Sequence, residues 1–243
     1  MSEPKPAPSR RIPRWARITL RVLGAYLIIA YVILPQWDRR KSRLDHDLSD
    51  QPDLTHTGTG LPGDPVNIAL VGTEEDVIRS MSAAGWHPAD ALTFSSSVRI
   101  AIDSVFKKPD DDAPASNLFL FGRKEDLAFE KPVGDSPRVR HHVRFWHSEK
   151  TADGRPVWIG SAAFDIGVEL SRTTGQVTHR ISPDVDAERE IIMADLTKSN
   201  RVQSTRWENG FHKELQGRNG GGDPWHTDGR LAVVTLVPTA SSK

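Results

Sequence analysis

The chain contains no cysteine, which excludes disulfide bonds, thiolate metal ligands and a cysteine nucleophile. It also lacks a net formal charge, because 32 Lys and Arg balance 32 Asp and Glu. The zero sum hides two segments of opposite charge. Residues 1–43 hold ten basic and two acidic side chains (10 − 2 = +8). Residues 44–243 hold 22 basic and 30 acidic side chains (22 − 30 = −8). Such asymmetry is typical of a basic arm that faces a membrane or a polyanion. The acidic bulk argues against a nucleic-acid partner.

Apolar runs are short, and the most pronounced one covers the thirteen uncharged residues 22–34. Extended back to Ile18 it reaches seventeen residues, with Arg21 near enough to the end to direct its guanidinium outward. Trp15 and Trp37 lie at the two ends, where aromatic side chains meet a bilayer surface. No small-x-small cleavage site follows, which favours an uncleaved membrane anchor over a removed signal peptide.

The sequence therefore predicts five segments. They are a disordered basic tail (1–17), a transmembrane anchor (18–37), a linker (38–63), a folded domain (64–238) and a short tail (239–243).

The folded domain alternates strand-like and helix-like patterns. Strands are predicted at 64–72, 118–121, 138–146, 157–170 and 231–237, helices at 73–85, at 95–106 and from Ser182–Pro183, and a glycine-rich loop at 217–223. This order predicts an α+β fold with a mostly antiparallel sheet and packed helices, preceded by one N-terminal transmembrane helix.

Asp153-Gly154 predicts a two-residue turn between two of these strands. With the turn centred there, paired residue numbers sum to 307, and His142 lies opposite Asp165. One face of the hairpin then carries His141, Val143 and Phe145 and is expected to form core. The other face is expected to be polar, and it carries Arg140, His142, Arg144, Trp146 and Asp165.

The polar face is the first candidate site. Asp165 could orient His142 for acid–base chemistry, and Arg140, His142 and Arg144 could bind a phosphate or carboxylate group. The alternative is an ion pair across two strands on a solvated face, with little energetic weight.

A second candidate site combines His179 with the acidic start of the last helix, at Asp184, Asp186 and Glu188. Carboxylates spaced by four residues lie on one side of a helix and could bind a divalent cation. The alternative is that they complement the helix dipole. The sequence predicts no cofactor, and it leaves open a divalent metal ion at this second site.

Several stretches resemble the LssY C-terminal domain family of bacteria over roughly residues 64–237. They are 67–72, 84–86, 120–129, 140–144, 152–160, 164–167 and 178–189. Related domains lie behind multi-helix membrane modules, including type 2 phosphatidic-acid phosphatase and DedA-like ones. The resemblance implies no activity for the domain itself.

The expected function is a binding or accessory module with an anionic ligand, anchored through residues 18–37 in the bacterial cytoplasmic (inner) membrane beside a membrane-protein partner. The charges flanking the span place the C-terminal domain outside the cytoplasm. The alternative is a hydrolase, with a metal or without one, whose catalytic residues would come from His142, Asp165, His179 and Asp184 and whose metal ligands would include Asp186 and Glu188.

Overall fold

The computed structural model describes residues 14–33, 47–89, 117–134, 139–170 and 177–239. The helix predicted over 95–106 lies outside these residues. The chain divides into two compact units, residues 1–45 and 46–243.

In the first unit, helix α1 runs from Arg14 to Ile28 and continues as a π-helical turn over Ile29–Ile33. This is the segment where a transmembrane helix was predicted over 18–37. Within the described ranges, no helix has both the length and the apolar character needed to cross a bilayer.

The second unit contains fourteen strands and two helices among the described residues. The strands are β1 Leu54–Thr57, β2 Pro62–Pro65, β3 Ile68–Val71, β4 His87–Pro88, β5 Leu118–Leu120, β6 Arg123–Lys124, β7 Leu127–Pro132, β8 Arg140–Ala152, β9 Arg155–Leu170, β10 Val177–Ile181, β11 Val202–Glu208, β12 Gln216–Arg218, β13 Pro224–His226 and β14 Leu231–Leu236. The helices are α2 Glu74–Ala83 and α3 Val185–Lys198.

Eight strands form the main sheet, in the order β11-β14-β3-β9-β8-β7-β4, with β10 also beside β9. All of its pairs are antiparallel except β3 with β14. A second sheet has the order β2-β1-β5-β6, and β12 pairs with β13. The predicted α+β class with a mostly antiparallel sheet is confirmed.

Both faces of the main sheet are buried over part of their area. On one face, Val143 and Phe145 of β8 pack with Val77 of α2 and Ile192 of α3. On the other face, Trp146 of β8 belongs to a second core cluster that also includes Ile159, Leu118 and Leu120. The face predicted to be polar is therefore apolar near Trp146, and it is charged only toward Arg140.

The β8–β9 turn has the predicted chemistry, but the register of the strands changes along their length. Asp153 and Gly154 both have positive φ, 53° and 72°, which a two-residue hairpin turn of this type requires. Next to the turn, Ala152 pairs with Arg155 and the numbers sum to 307, as predicted.

A bulge between His147 and Thr151 then shifts the register, so that Arg140, not His142, lies opposite Asp165. Three β8 residues face one β9 residue there, which adds two residues to β8. Because the shift is an even number, every side chain keeps its predicted face.

Other boundaries differ by small amounts. Helix α2 begins at Glu74, and Thr73, the first residue of the predicted range, is its N-cap and forms a capping box with Asp76. Helix α3 begins at Val185 and not at Ser182–Pro183, because Asp184 is the residue that caps it. The interval predicted as linker contains β1 and half of β2, and Leu48 is fully buried.

Asn67 holds three elements together from a fully buried position. Its side-chain amide donates to the carbonyls of Ala162 in β9, at 2.9 Å, and Val185 at the start of α3, at 2.8 Å. Its side-chain oxygen accepts from the Ala162 amide at 3.0 Å. A fully satisfied buried amide of this kind fixes relative positions that apolar contacts alone leave adjustable.

We expect Asn67→Ala to lower the free energy of unfolding by about 3 kcal/mol, because three hydrogen bonds disappear and their backbone partners stay buried. Urea unfolding of the full chain would measure this. Asn117→Ala, at an exposed position, serves as the control and should change stability by less than about 0.5 kcal/mol. Equal effects of the two substitutions would contradict the assigned role of Asn67.

Candidate functional site

The charged end of the main sheet centres on Asp165, whose side chain is 1 % exposed. Three cationic or titratable side chains surround its carboxylate. Arg140 Nε lies 3.2 Å from Oδ2, His142 Nδ1 lies 3.2 Å from Oδ1, and His179 Nδ1 lies 3.4 Å from Oδ2. Among the described residues, neither His142 Nδ1 nor Asp165 Oδ1 has a hydrogen-bond partner, so the two atoms lie close without the alignment of a hydrogen bond.

Three strands deliver these groups to one point. β8 supplies Arg140 and His142, β9 supplies Asp165, and β10 supplies His179. β10 reaches Asp165 because its pairing with β9 also contains a bulge, between Arg180 and Ile181. The sequence placed Arg140, His142 and Asp165 on one face, and the structure adds His179 to them.

Two glutamates complete the surroundings. Glu130 of β7 pairs with His142 across the strands, and its Oε2 accepts from Arg140 Nη1 at 2.8 Å. Glu125 Oε1 lies 3.7 Å from Arg144 Nε, too far for a hydrogen bond. Arg144 Nη1 also lies 3.4 Å from His142 Nε2. We refer to Arg140, His142, Arg144, Asp165 and His179 as the Asp165 cluster.

The neighbours of Asp165 lower the pKa of its carboxyl group. Burial alone would raise this pKa, but the charges of His142, His179 and Arg140 outweigh burial and lower the pKa to about 2. The pKa of His179 is lowered by burial and by the nearby Arg140 and His142, against the opposing effect of Asp165. At neutral pH, Asp165 is therefore ionised, and the neutral form of His179 is favoured.

The opposite side of the same strand carries a different pair. His141 Nδ1 lies 2.7 Å from Oε2 of Glu188, whose side chain is 1 % exposed on α3. The His141 ring stacks on Phe164 at 4.7 Å between centroids. Burial raises the pKa of Glu188, partly offset by the hydrogen bond to His141, and Glu188 Oε1 has no hydrogen-bond partner.

The carboxylates at the start of α3 do not join the Asp165 cluster. Asp184 caps the helix by accepting from the amides of Asp186 and Ala187. Asp186 Oδ1 accepts from Arg189 Nη1 at 3.0 Å. Glu188 contacts His141, which lies on the other face of β8 from His142.

The four residues of the predicted metal site have other contacts in the structure. His179 contacts Asp165, and Glu188 contacts His141. Asp184 caps α3, and Asp186 pairs with Arg189 of the same helix. Across the described residues, no group of three or more His, Asp or Glu could hold a metal ion. The helix-dipole alternative accounts for Asp184 and Asp186.

Two features of the site escaped the sequence reasoning. Glu130 belongs to a strand, β7, in which the large apolar Leu127 and Phe129 alternate with Ala128 and Glu130, so a strand signal was present. The pairing of His141 with Glu188 has no local sequence signal, because the two residues are 47 positions apart and meet only when α3 packs on the sheet.

Glu188 predicts a specific dependence of stability on pH. A carboxyl group whose folded pKa is raised gives its full stabilisation below its ordinary value of 4.5 and loses it as the pH rises through the folded pKa. We therefore expect the stability of the wild type, relative to Glu188→Gln, to fall as the pH rises above about 4.5. Urea unfolding between about pH 4 and 7.5 measures this difference.

The control is Glu75→Gln, which removes an exposed carboxylate paired with Arg79. Its difference from the wild type should stay small and nearly constant across the same range. A constant difference for Glu188→Gln as well would show that burial does not perturb Glu188.

Comparison with known proteins agrees with the resemblance found in the sequence. The family described as LssY C-terminus matches residues 48–231, which include β1 and the whole Asp165 cluster. No curated protein and no solved structure matches the chain. Because this match covers well over half of its length, the chain belongs to the LssY C-terminal domain family.

Proposed function

We propose that the second unit is a binding domain for a small oxyanion, such as a phosphate, sulfate or carboxylate group, and that Arg144 and His142 contact the ligand. The observation that carries this proposal is the convergence of Arg140, His142 and His179 on Asp165, with Arg144 beside His142. Arginine and histidine are the side chains that bind oxyanions through charge-assisted hydrogen bonds.

The members of the cluster have different roles in this proposal. Arg140 is held by both Glu130 and Asp165, and it therefore fixes the position of the buried carboxylate. Arg144 Nε lies 3.7 Å from Oε1 of Glu125. Its guanidinium and the outer nitrogen of His142 face each other, and an oxyanion placed between them can accept from both.

The proposal predicts that Arg144→Gln weakens the binding of inorganic phosphate and sulfate by about tenfold or more, because one charge-assisted hydrogen bond is lost. Isothermal titration calorimetry of the full chain in a neutral detergent measures this. Arg79→Gln is the matched control, because Arg79 forms an exposed pair with Glu75 on α2. Unchanged affinity in Arg144→Gln, or equal losses in both variants, would exclude the proposed contact.

A hydrolase is the second candidate, because Asp165 contacts His142 Nδ1 as an orienting carboxylate contacts a general base. In this version Asp165 and His142 act without the α3 carboxylates. Phosphate-ester and carboxyl-ester substrates, tested with and without divalent cations, decide between the two functions. Turnover that is lost in His142→Gln would favour the hydrolase, and binding without turnover would favour the binding domain.

We further propose that the first unit attaches the domain to a membrane. Large apolar side chains cover α1 and the π-helical turn, and their exposed fractions range from 46 % at Leu27 to 72 % at Tyr31. An exposed apolar surface of this extent is typical of a segment with an apolar partner. The basic residues that flank this segment favour placement of the C-terminal domain outside the cytoplasm.

The attachment predicts that the full chain stays with membranes after an alkaline carbonate wash, whereas a chain lacking residues 1–45 is released. A topology reporter fused at Lys243 should give an extracytoplasmic signal. Release of the full chain by carbonate would contradict attachment, and a cytoplasmic signal would contradict only the orientation.

A further inference from the structure

The contact between Arg144 and His142 fixes the positions of the histidine protons. A guanidinium has only donors, so His142 Nε2, 3.4 Å from Arg144 Nη1, must present its lone pair. The ring proton of neutral His142 then lies on Nδ1, which faces Asp165 Oδ1 at 3.2 Å. In this tautomer Nδ1–H faces an acceptor, Asp165 Oδ1, and the lone pair of Nε2 faces a donor, Arg144 Nη1.

Protonation of His142 would change this arrangement on one side only. Nδ1–H would still face Asp165, but Nε2 would become a second donor facing the donors of Arg144. Two donors at this distance repel each other unless an acceptor lies between them. A ligand oxyanion is such an acceptor, and it could bond to Nε2–H and to the guanidinium together.

We propose that oxyanion binding at this site is coupled to the uptake of one proton by His142, so that the ligand is bound between His142 Nε2–H and Arg144. This inference rests on the proposed binding function and specifies its regulation. In the neutral tautomer, His142 Nε2 and Arg144 contact each other directly. When the ring is protonated, an anion can bind between them.

The charges that face His142 support proton uptake. With neutral histidines, Arg140 and Arg144 of β8 oppose Asp165 of β9, Glu130 of β7 and Glu125 before it, a local sum of 2 − 3 = −1. An anion is repelled by that sum, and one proton brings it to zero.

The other titratable group in the cluster, His179 of β10, does not take this role in our proposal. Burial favours its neutral form. Its Nδ1 faces the same carboxylate as His142, through the other oxygen, Oδ2. The proton is therefore assigned to His142, which contacts both Asp165 and Arg144.

Sulfate is the best probe, because its charge does not change between pH 5.5 and 8, whereas phosphate titrates in this range. Calorimetry of the full chain in a neutral detergent, at constant ionic strength, would measure affinity against pH. We expect the affinity to fall as the pH rises, with a limiting slope of about tenfold per pH unit, as expected for one bound proton. Repetition in buffers of different ionisation enthalpy should show the uptake of about one proton per sulfate.

Two variants locate the proton, and thermal unfolding checks that each is folded. In His142→Gln the affinity should become nearly independent of pH, whereas His179→Gln should keep the dependence of the wild type. Because the buffer experiment uses the wild type alone, the inference stays testable even if His142→Gln fails to fold.

The possible results distinguish a failure of the proton coupling from a failure of the proposed binding function. Sulfate binding in the wild type without pH dependence or proton uptake would overturn the proton coupling and leave the binding function standing. Dependence that persists in a folded His142→Gln variant would overturn the assignment to His142. If neither sulfate nor phosphate binds at any pH between 5.5 and 8, the binding function itself is wrong.

Discussion

The buried charge of Asp165 is the constraint on which the charged end of the sheet depends. A carboxylate that is 1 % exposed is strongly destabilising unless charges and donors surround it. Arg140, His142 and His179 meet that need from two neighbouring strands, and Glu130 in turn balances Arg140. Removal of Arg140 would leave the buried carboxylate without its guanidinium partner, so β8 and β9 are held in one relative position.

The two faces of β8 lie in different environments. His141 faces α3 and bonds to Glu188, while its neighbour His142 faces Asp165. Alternation along β8 thus separates a pair buried under a helix from a cluster of several charges. The Asp165 cluster has the composition expected for an oxyanion site, and the resemblance to the LssY C-terminal domain family adds no activity to it.

Sequence patterns predicted much of this arrangement, because alternation and turn chemistry are local. The Asp153-Gly154 turn and the faces of Arg140, His142, Arg144 and Asp165 all follow from them, and they were confirmed. The predicted cross-strand partner of Asp165 was wrong by two residues. The bulge after His147 adds two residues to β8, and an even insertion does not change the alternation of side chains.

Contacts between elements that are distant in the sequence could not be predicted from local patterns. Spacing alone allowed the acidic residues of α3 to bind a cation or to cap a helix, and only the position of the helix decided for capping at Asp184. The contact of His179 with Asp165 required a second bulge, where β10 meets β9. Both outcomes depend on packing between elements distant in sequence, which a single chain's pattern does not specify.

The most direct test of the account is the protonation of His142, observed by ¹⁵N NMR on the full chain labelled at histidine and assigned with His142→Gln. Without sulfate, we expect the neutral form of the ring to carry its proton on Nδ1. Added sulfate should convert this ring to the form protonated on both nitrogens. A ring with its proton on Nε2 in the free protein, or a ring that sulfate leaves unchanged while it binds, would contradict the account.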